Sequence, residues 1–193
     1  FFLFGQQGGQ RRSLHLAAIM PSSMSTVFNF TFVPWFRSVA PYIHKFRQQT
    51  FVVGITGEAI AAGKLQAIVQ DLAMIQAMGV KIVLVHGFRP QVNEQLRLKN
   101  HEPQYAAGMR ITDSIALDCA QEAAGQLRYE IEAAFSQGLP NTPMAGARVR
   151  VMSGNFLTAR PVGIVDGVDF QHTGLVRKVD VEGIRRALES DAM

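Results

Sequence analysis

The sequence predicts an α/β fold with a mostly parallel sheet and added antiparallel strands. Three observations predict it. Two β-branched runs, Phe51-Val52-Val53 and Val80-Lys81-Ile82-Val83-Leu84-Val85, each lead into a glycine turn. Between them Leu65, Ile68, Val69, Leu72, Ile75 and Met78 recur at helical spacing, so strand, helix and strand read as one βαβ unit. Further on, Arg148 to Met152 alternate charge with apolar character, and Gly163 to Asp180 form a glycine-rich stretch that reads as a small hairpin excursion.

Residues 1–25 lack a stable period and read as a leader that is either non-native or disordered. Phe1-Phe2-Leu3-Phe4 precedes Arg11-Arg12, an order opposite to that of a secretory signal, whose charged region comes first. Met20 or Met24 is then the expected start. Residues 26–49 contain an amphipathic helix, with Phe32, Phe36, Val39, Ala40, Ile43 and Phe46 on one face. Pro34 fits its first turn, and Pro41 is expected to kink it by removing a backbone donor. Residues 50–193 are the α/β domain. Its second strand, an almost unbroken apolar run, is expected to be buried on both faces. Gly79 is placed to cap the helix before that strand. Pro90 marks the start of a helix running to Leu98, since proline suits the first helical position. A polar loop follows through Asn100 and Pro103. Thr112 or Asp113 is expected to cap a helix with Leu117, Ala120, Ala124, Leu127, Ile131 and Phe135 on one face. A last helix begins near Asp180. A chain that opens on Phe1 and stops at Met193 inside a helix reads as a piece of a longer protein.

Composition narrows the function classes. The 193 residues are 48% hydrophobic, enough for one sizeable core. The net charge is +4 and the pI about 9.6, with basic residues adjacent only as pairs. No basic stripe interleaved with aromatics speaks for nucleic acid, and no apolar run reaches the length of a membrane span. The single cysteine, Cys119, reads as a small buried hydrophobe in a reducing compartment.

If the first two strands are parallel neighbours, both glycine turns open at one edge, and that edge is where a ligand is sought. A strand that passes through Gly87 into a helix N-terminus leaves unpaired N–H groups and a positive dipole end. Gly57 in the first turn and His86, Gly87 and Arg89 in the second are candidates for a site that holds a carboxylate or phosphate. The bland alternative stands beside it: Gly57 shaping a tight turn, His86 at a strand end and Arg89 in solvent. The first turn carries neither a P-loop ending nor a dinucleotide fingerprint. Arg110, preceding a helix cap, is a further candidate, its guanidinium and the helix dipole converging on one carboxylate. Asp166, Asp169 and His172 have loose metal-ligand spacing but no fourth partner, so they read as turn residues and no metal site is assigned.

Taken together, five segments resemble the amino-acid kinase fold and, within it, the N-acetylglutamate synthase family. They are Pro34-Trp35-Phe36-Arg37-Ser38-Val39-Ala40-Pro41-Tyr42-Ile43, Val83-Leu84-Val85-His86-Gly87-Phe88-Arg89-Pro90-Gln91, Gly108-Met109-Arg110-Ile111-Thr112-Asp113, Ser153-Gly154-Asn155-Phe156 and Asp166 through Gly174. The resemblance covers Phe32 to Met193. It implies a three-layer sandwich of the carbamate kinase type, here the N-terminal lobe only.

The sister kinases of acetylglutamate carry a lysine in the first strand, where this chain has Gly54, and a glycine run that Phe88 and Arg89 interrupt here. Without a cation to stabilise the transferring group, phosphoryl transfer is not expected. The synthase resemblance implies acetyl transfer from acetyl-CoA to glutamate by a separate C-terminal domain. This chain would then need no cofactor of its own. It implies a regulatory role with arginine as effector and with glutamate or acetylglutamate as further ligands. It also implies a cytoplasmic homo-oligomer, a hexamer joined through the N-terminal helix, with Tyr42 of the Pro-Tyr-Ile motif beside the effector. Two alternatives are kept: an acetylglutamate kinase-like protein and a stand-alone metabolite-binding module.

Overall fold

In the computed structural model the described residues are 32–138, 146 and 149–193. The leader assigned to residues 1–25 lies outside them, as do residues 26–31 and Arg148.

The first helix, α1 (Phe32–Phe46), runs through Pro41 as one element and buries none of its residues. Its C-terminal end is tied to the domain by Phe46, whose ring meets Phe51 edge-on at 5.5 Å. Gln48, at φ 66°, then donates its N–H to Gly79 O over 2.7 Å.

Strand β1 (Thr50–Ile55) leads into α2 (Gly57–Ala61) and α3 (Leu65–Ala77). Strand β2 (Lys81–His86) then lies parallel to β1, in register from Thr50↔Lys81 to Ile55↔His86. Gly79 closes α3 at φ 88°, its N–H donating to Gln76 O, which is the left-handed cap expected of it. Next come α4 (Arg89–Leu98), the hairpin strands β3 (Gln104–Ala106) and β4 (Met109–Ile111), and the 23-residue α5 (Ser114–Ser136). Pro90 is the second residue of α4, one position later than expected, because Phe88 takes the cap position.

The apolar stripes build two adjoining cores. One gathers Ile55, Ile60, Val69, Leu72, Ile82, Leu127 and Ile131, and the other Val92, Leu96, Ala116, Cys119, Ala120 and Ala123. On α5 the helical period holds but the buried stripe is shifted. Ala116, Cys119 and Ala123 are buried, whereas Leu117 and Ala124 lie at the margin. The stripe that faces α4 must use small side chains, because two helices pack closely only where the contact residues are small.

The expectation that β2 is buried on both faces is corrected. Phe51, Val53, Ile82 and Leu84 pack on the core that α3 and α5 share, while Val52 on the other face is 71% exposed and Val85 is also exposed. An unbroken apolar run reports hydrophobicity but not how many layers cover it.

After α5 the chain becomes antiparallel. Strand β5 (Leu157–Pro161) pairs with β8 (Gly174–Val179), and between them β6 (Ile164–Val165) and β7 (Val168–Asp169) form the expected hairpin. Asp166 and Gly167 both have positive φ at its tip, the pairing that a two-residue type I′ turn requires. Of the strand expected over Arg148–Met152, the described part, Val149–Met152, forms no strand. Arg150 makes only a parallel bridge to Ala192, with Met193 N–H donating to Arg150 O and Met152 N–H to Met193 O. Alternation there produced an extended segment whose backbone partner is a single stretch after the last helix, α6 (Val181–Glu189).

Candidate functional site

Because β1 and β2 are parallel and end in register, their two turns do open at the same edge. Gly87 N–H donates to Ile55 O over 2.8 Å, and Thr56 caps α2 by accepting the Ala59 N–H. The glycines, however, serve each other. A Cβ on Gly87 would lie 3.2 Å from Gly57 N, and one on Gly57 would lie 2.7 Å from Pro90 Cδ and 3.1 Å from Gly87 O. Gln91 adds a bond from Nε2 to Gly57 O, joining α4 to α2. The backbone approach that Gly87 permits is thus an approach to the neighbouring turn. Gly54, by contrast, is open: a Cβ there would meet nothing within 4 Å.

His86 ends β2 half-buried beside Phe88, with ring centroids 6.4 Å apart. Burial pushes its imidazole pKa below the ordinary value, and a backbone interaction with Gly87 opposes this. Burial thus favours the neutral ring.

The polar cluster is built one step further along the chain. Arg89 is the first residue of α4, and its guanidinium carbon lies 5.6 Å from the Tyr105 ring centre. Arg110, only 3% exposed on β4, places its guanidinium 4.9 Å from the same ring. Tyr105 and Arg110 are directly paired across the β3–β4 hairpin, which puts their side chains on one face. Asn93 Oδ1 accepts from both, from Arg110 Nη2 and, over 3.1 Å, from the Tyr105 hydroxyl. Burial lowers the Arg110 pKa; the neighbouring Arg89 charge pulls the same way and Tyr105 opposes it. An arginine keeps its charge regardless, so two guanidiniums lie against one aromatic ring beside the N-terminus of α4. That arrangement suits an anion with a planar, two-oxygen head.

Arg110 meets Asn93 and Tyr105, and the α5 N-terminus is capped by Asp113, which accepts Ala116 N–H at Oδ1 and meets His101 Nε2 at Oδ2, each over 2.8 Å. Tyr42 is not among the groups around Tyr105 and stands 64% exposed on α1. Asp166 and Asp169 act as turn residues, Asp169 by accepting the Gln171 N–H.

Asn93 and Tyr105 were missed by reading the sequence. Asn93 had a usable signal, since it lies four residues after Arg89 and so on the same helix face. Tyr105 had almost none. Its hairpin turns on Ala107 and Gly108, both at positive φ, and alanine rarely takes that conformation.

Residues 49–193 match the amino acid kinase family. The chain belongs to the amino acid kinase family. Amino-acid acetyltransferases are similar to it: that of Ralstonia nicotianae is 63% identical over 159 residues, covering 82% of this chain and 35% of the relative. That of Ectopseudomonas mendocina is 47% identical over 158 residues, covering 82% and 37%. Two crystal structures of Neisseria gonorrhoeae N-acetylglutamate synthase share this family's fold at a TM-score of 0.72. The complex with coenzyme A and L-arginine is 35% identical, covering 84% of this chain and 38% of that one. The complex with coenzyme A and N-acetyl-glutamate is 36% identical, covering 84% and 36%. This family member thus spans little more than a third of the relatives it matches.

Proposed function

We propose that this chain is the N-terminal, regulatory part of an amino-acid acetyltransferase that makes N-acetylglutamate from acetyl-CoA and L-glutamate at the start of arginine biosynthesis. The observation that carries the reading is the 63% identity to one such enzyme across 82% of this chain. In that reaction the glutamate α-amine attacks the thioester carbonyl and the C–S bond breaks to release coenzyme A. The reaction is assigned to the rest of the longer protein, and this part is assigned arginine sensing and assembly.

Phosphoryl transfer is disfavoured by the open position at Gly54, where a strand-borne cation would be needed. The Arg89–Arg110 cluster is assigned to a carboxylate of glutamate or N-acetylglutamate, with Gly57, His86 and Gly87 forming the adjoining edge. Tyr42 is assigned to the effector side. Phe32, Trp35 and Phe36, exposed on α1, support a homo-oligomer, assigned by resemblance as a hexamer, and the resemblance also assigns the protein to the cytoplasm. No helix among the described residues is long and apolar enough to cross a membrane.

The test uses the full-length protein. Glutamate-dependent release of free coenzyme A thiol from acetyl-CoA is expected, with the rate changed by added arginine, and ATP with N-acetylglutamate is expected to yield no acyl phosphate. Acyl phosphate formation without thiol release would overturn the reading. Ligand binding with neither activity would support the stand-alone binding module instead.

A further inference from the structure

Beyond the Asp169 turn, the segment from Phe170 to Thr173 is tied to the strand that carries Arg110. Thr173 is 3% exposed and Phe170, which begins the same turn, is 1% exposed. The Thr173 Oγ1 lies 2.6 Å from Arg110 O, 2.8 Å from Thr112 Oγ1 and 3.2 Å from Thr112 N. A hydroxyl has one proton and two lone pairs. The proton goes to the Arg110 carbonyl, so the Thr112 N–H and the Thr112 hydroxyl both donate to Thr173. Every hydrogen-bonding capacity of this buried group is therefore spent on the backbone either side of Ile111 and on one neighbouring hydroxyl.

The neighbouring backbone extends the join. His172 N–H donates to Thr112 O over 2.9 Å, Thr173 N–H to Phe170 O over 3.0 Å, and Val162 N–H to Thr173 O over 2.9 Å. On its other side β4 has only the three-residue ladder with β3. A ladder that short is marginal by itself, so the strand that carries Arg110 needs a second anchor.

We infer that Thr173 is a positioning residue for Arg110: its hydroxyl fixes the backbone from which the guanidinium reaches Asn93 and the Tyr105 face. The consequence for ligand binding rests on the carboxylate reading of the Arg89–Arg110 cluster, whereas the positioning itself does not. Thr173→Val keeps the shape and removes the hydroxyl, and Thr173→Ser keeps the hydroxyl.

The experiment, in the full-length protein, combines two readouts. The first is modification of Arg110 by phenylglyoxal, located by peptide mass spectrometry, with the fully buried Cys119 thiol as an internal probe of global folding. The second is calorimetric titration with N-acetylglutamate. In Thr173→Val, Arg110 is expected to become reactive while Cys119 stays protected, and affinity is expected to fall by about tenfold or more, the scale of one buried group left unpaired. Thr173→Ser should keep Arg110 protected and affinity within about twofold of the parent. Protection and affinity both unchanged in Thr173→Val would overturn the inference. So would exposure of Cys119 together with Arg110, which would make the role one of global folding. If Thr173→Val does not fold, Thr112→Val, which removes only one of the donors to Thr173, must still raise Arg110 reactivity. A parent protein that binds no N-acetylglutamate, but whose Arg110 is unmasked by Thr173→Val, would leave the positioning role standing and remove the carboxylate reading.

Discussion

Gly57 and Gly87 close the two parallel turns against each other: a Cβ on Gly87 would stand 3.2 Å from the Gly57 nitrogen, and one on Gly57 would stand 3.1 Å from the Gly87 carbonyl and only 2.7 Å from Pro90 Cδ. The pair needs glycine for closeness, since neither residue has positive φ.

Gly57→Ala is therefore expected to destabilise the domain by about 1–3 kcal/mol, the usual cost of forcing extra volume into a packed site. The proline ring that it meets cannot turn aside. Gly54→Ala, with open space around its Cβ, is expected to be neutral or to add about 0.5–1 kcal/mol through the restricted unfolded chain. Urea denaturation of the two variants side by side checks the contrast.

Asp113 serves two partners with one carboxylate. Accepting the Ala116 N–H holds its pKa below the usual carboxylate range, and His101 adds to this. A depressed folded pKa contributes stability above the unfolded value, near 3.9, which is lost as pH falls through the lower folded value. Asp113→Ala should cost about 1 kcal/mol at neutral pH as a lost helix cap. Asp113→Asn, which keeps a capping oxygen, should cost less and flatten the acid limb of the stability curve below pH of about 4.

His86 works in the same direction for a different reason. Burial favours its neutral form, so the unfolded chain binds the proton first as pH drops. Stability is then full above about 6.5 and declines as pH falls from there toward the lower folded value. Thermal melts between pH 8 and 5 should show that slope, and His86→Gln should remove it. An unchanged slope in the variant would place the titration elsewhere.

Tyr105 offers its ring to two guanidiniums and its hydroxyl to Asn93. Tyr105→Phe should leave Arg110 shielded. Tyr105→Leu should cost about 0.5–2 kcal/mol of cation–π attraction and increase Arg110 reactivity toward phenylglyoxal. Equal reactivity in both variants would show that the ring does not hold the guanidinium.

The sequence by itself determined the βαβ unit, the helix stop at Gly79, a helix start at Thr112 or Asp113, and a hairpin within Gly163 to Asp180 with aspartates in its turns. In each of these a local rule and a local residue suffice: a left-handed cap, a side-chain acceptor, a turn that requires positive φ. It also carried enough of the family's residues to point to the fold that the comparison found. Only tertiary structure decided which groups meet. Gly57 and Gly87 read equally well as a cradle for phosphate and as a packing contact, because glycine records closeness without naming the neighbour. Arg110 could be placed before a helix, but its partners lie on α4 and β3, and no period in the chain announces a pairing between elements. Thr173 is the furthest case: its part in holding Arg110 comes from a contact across 63 residues, made by a hydroxyl in a segment that reads on its own as an ordinary turn.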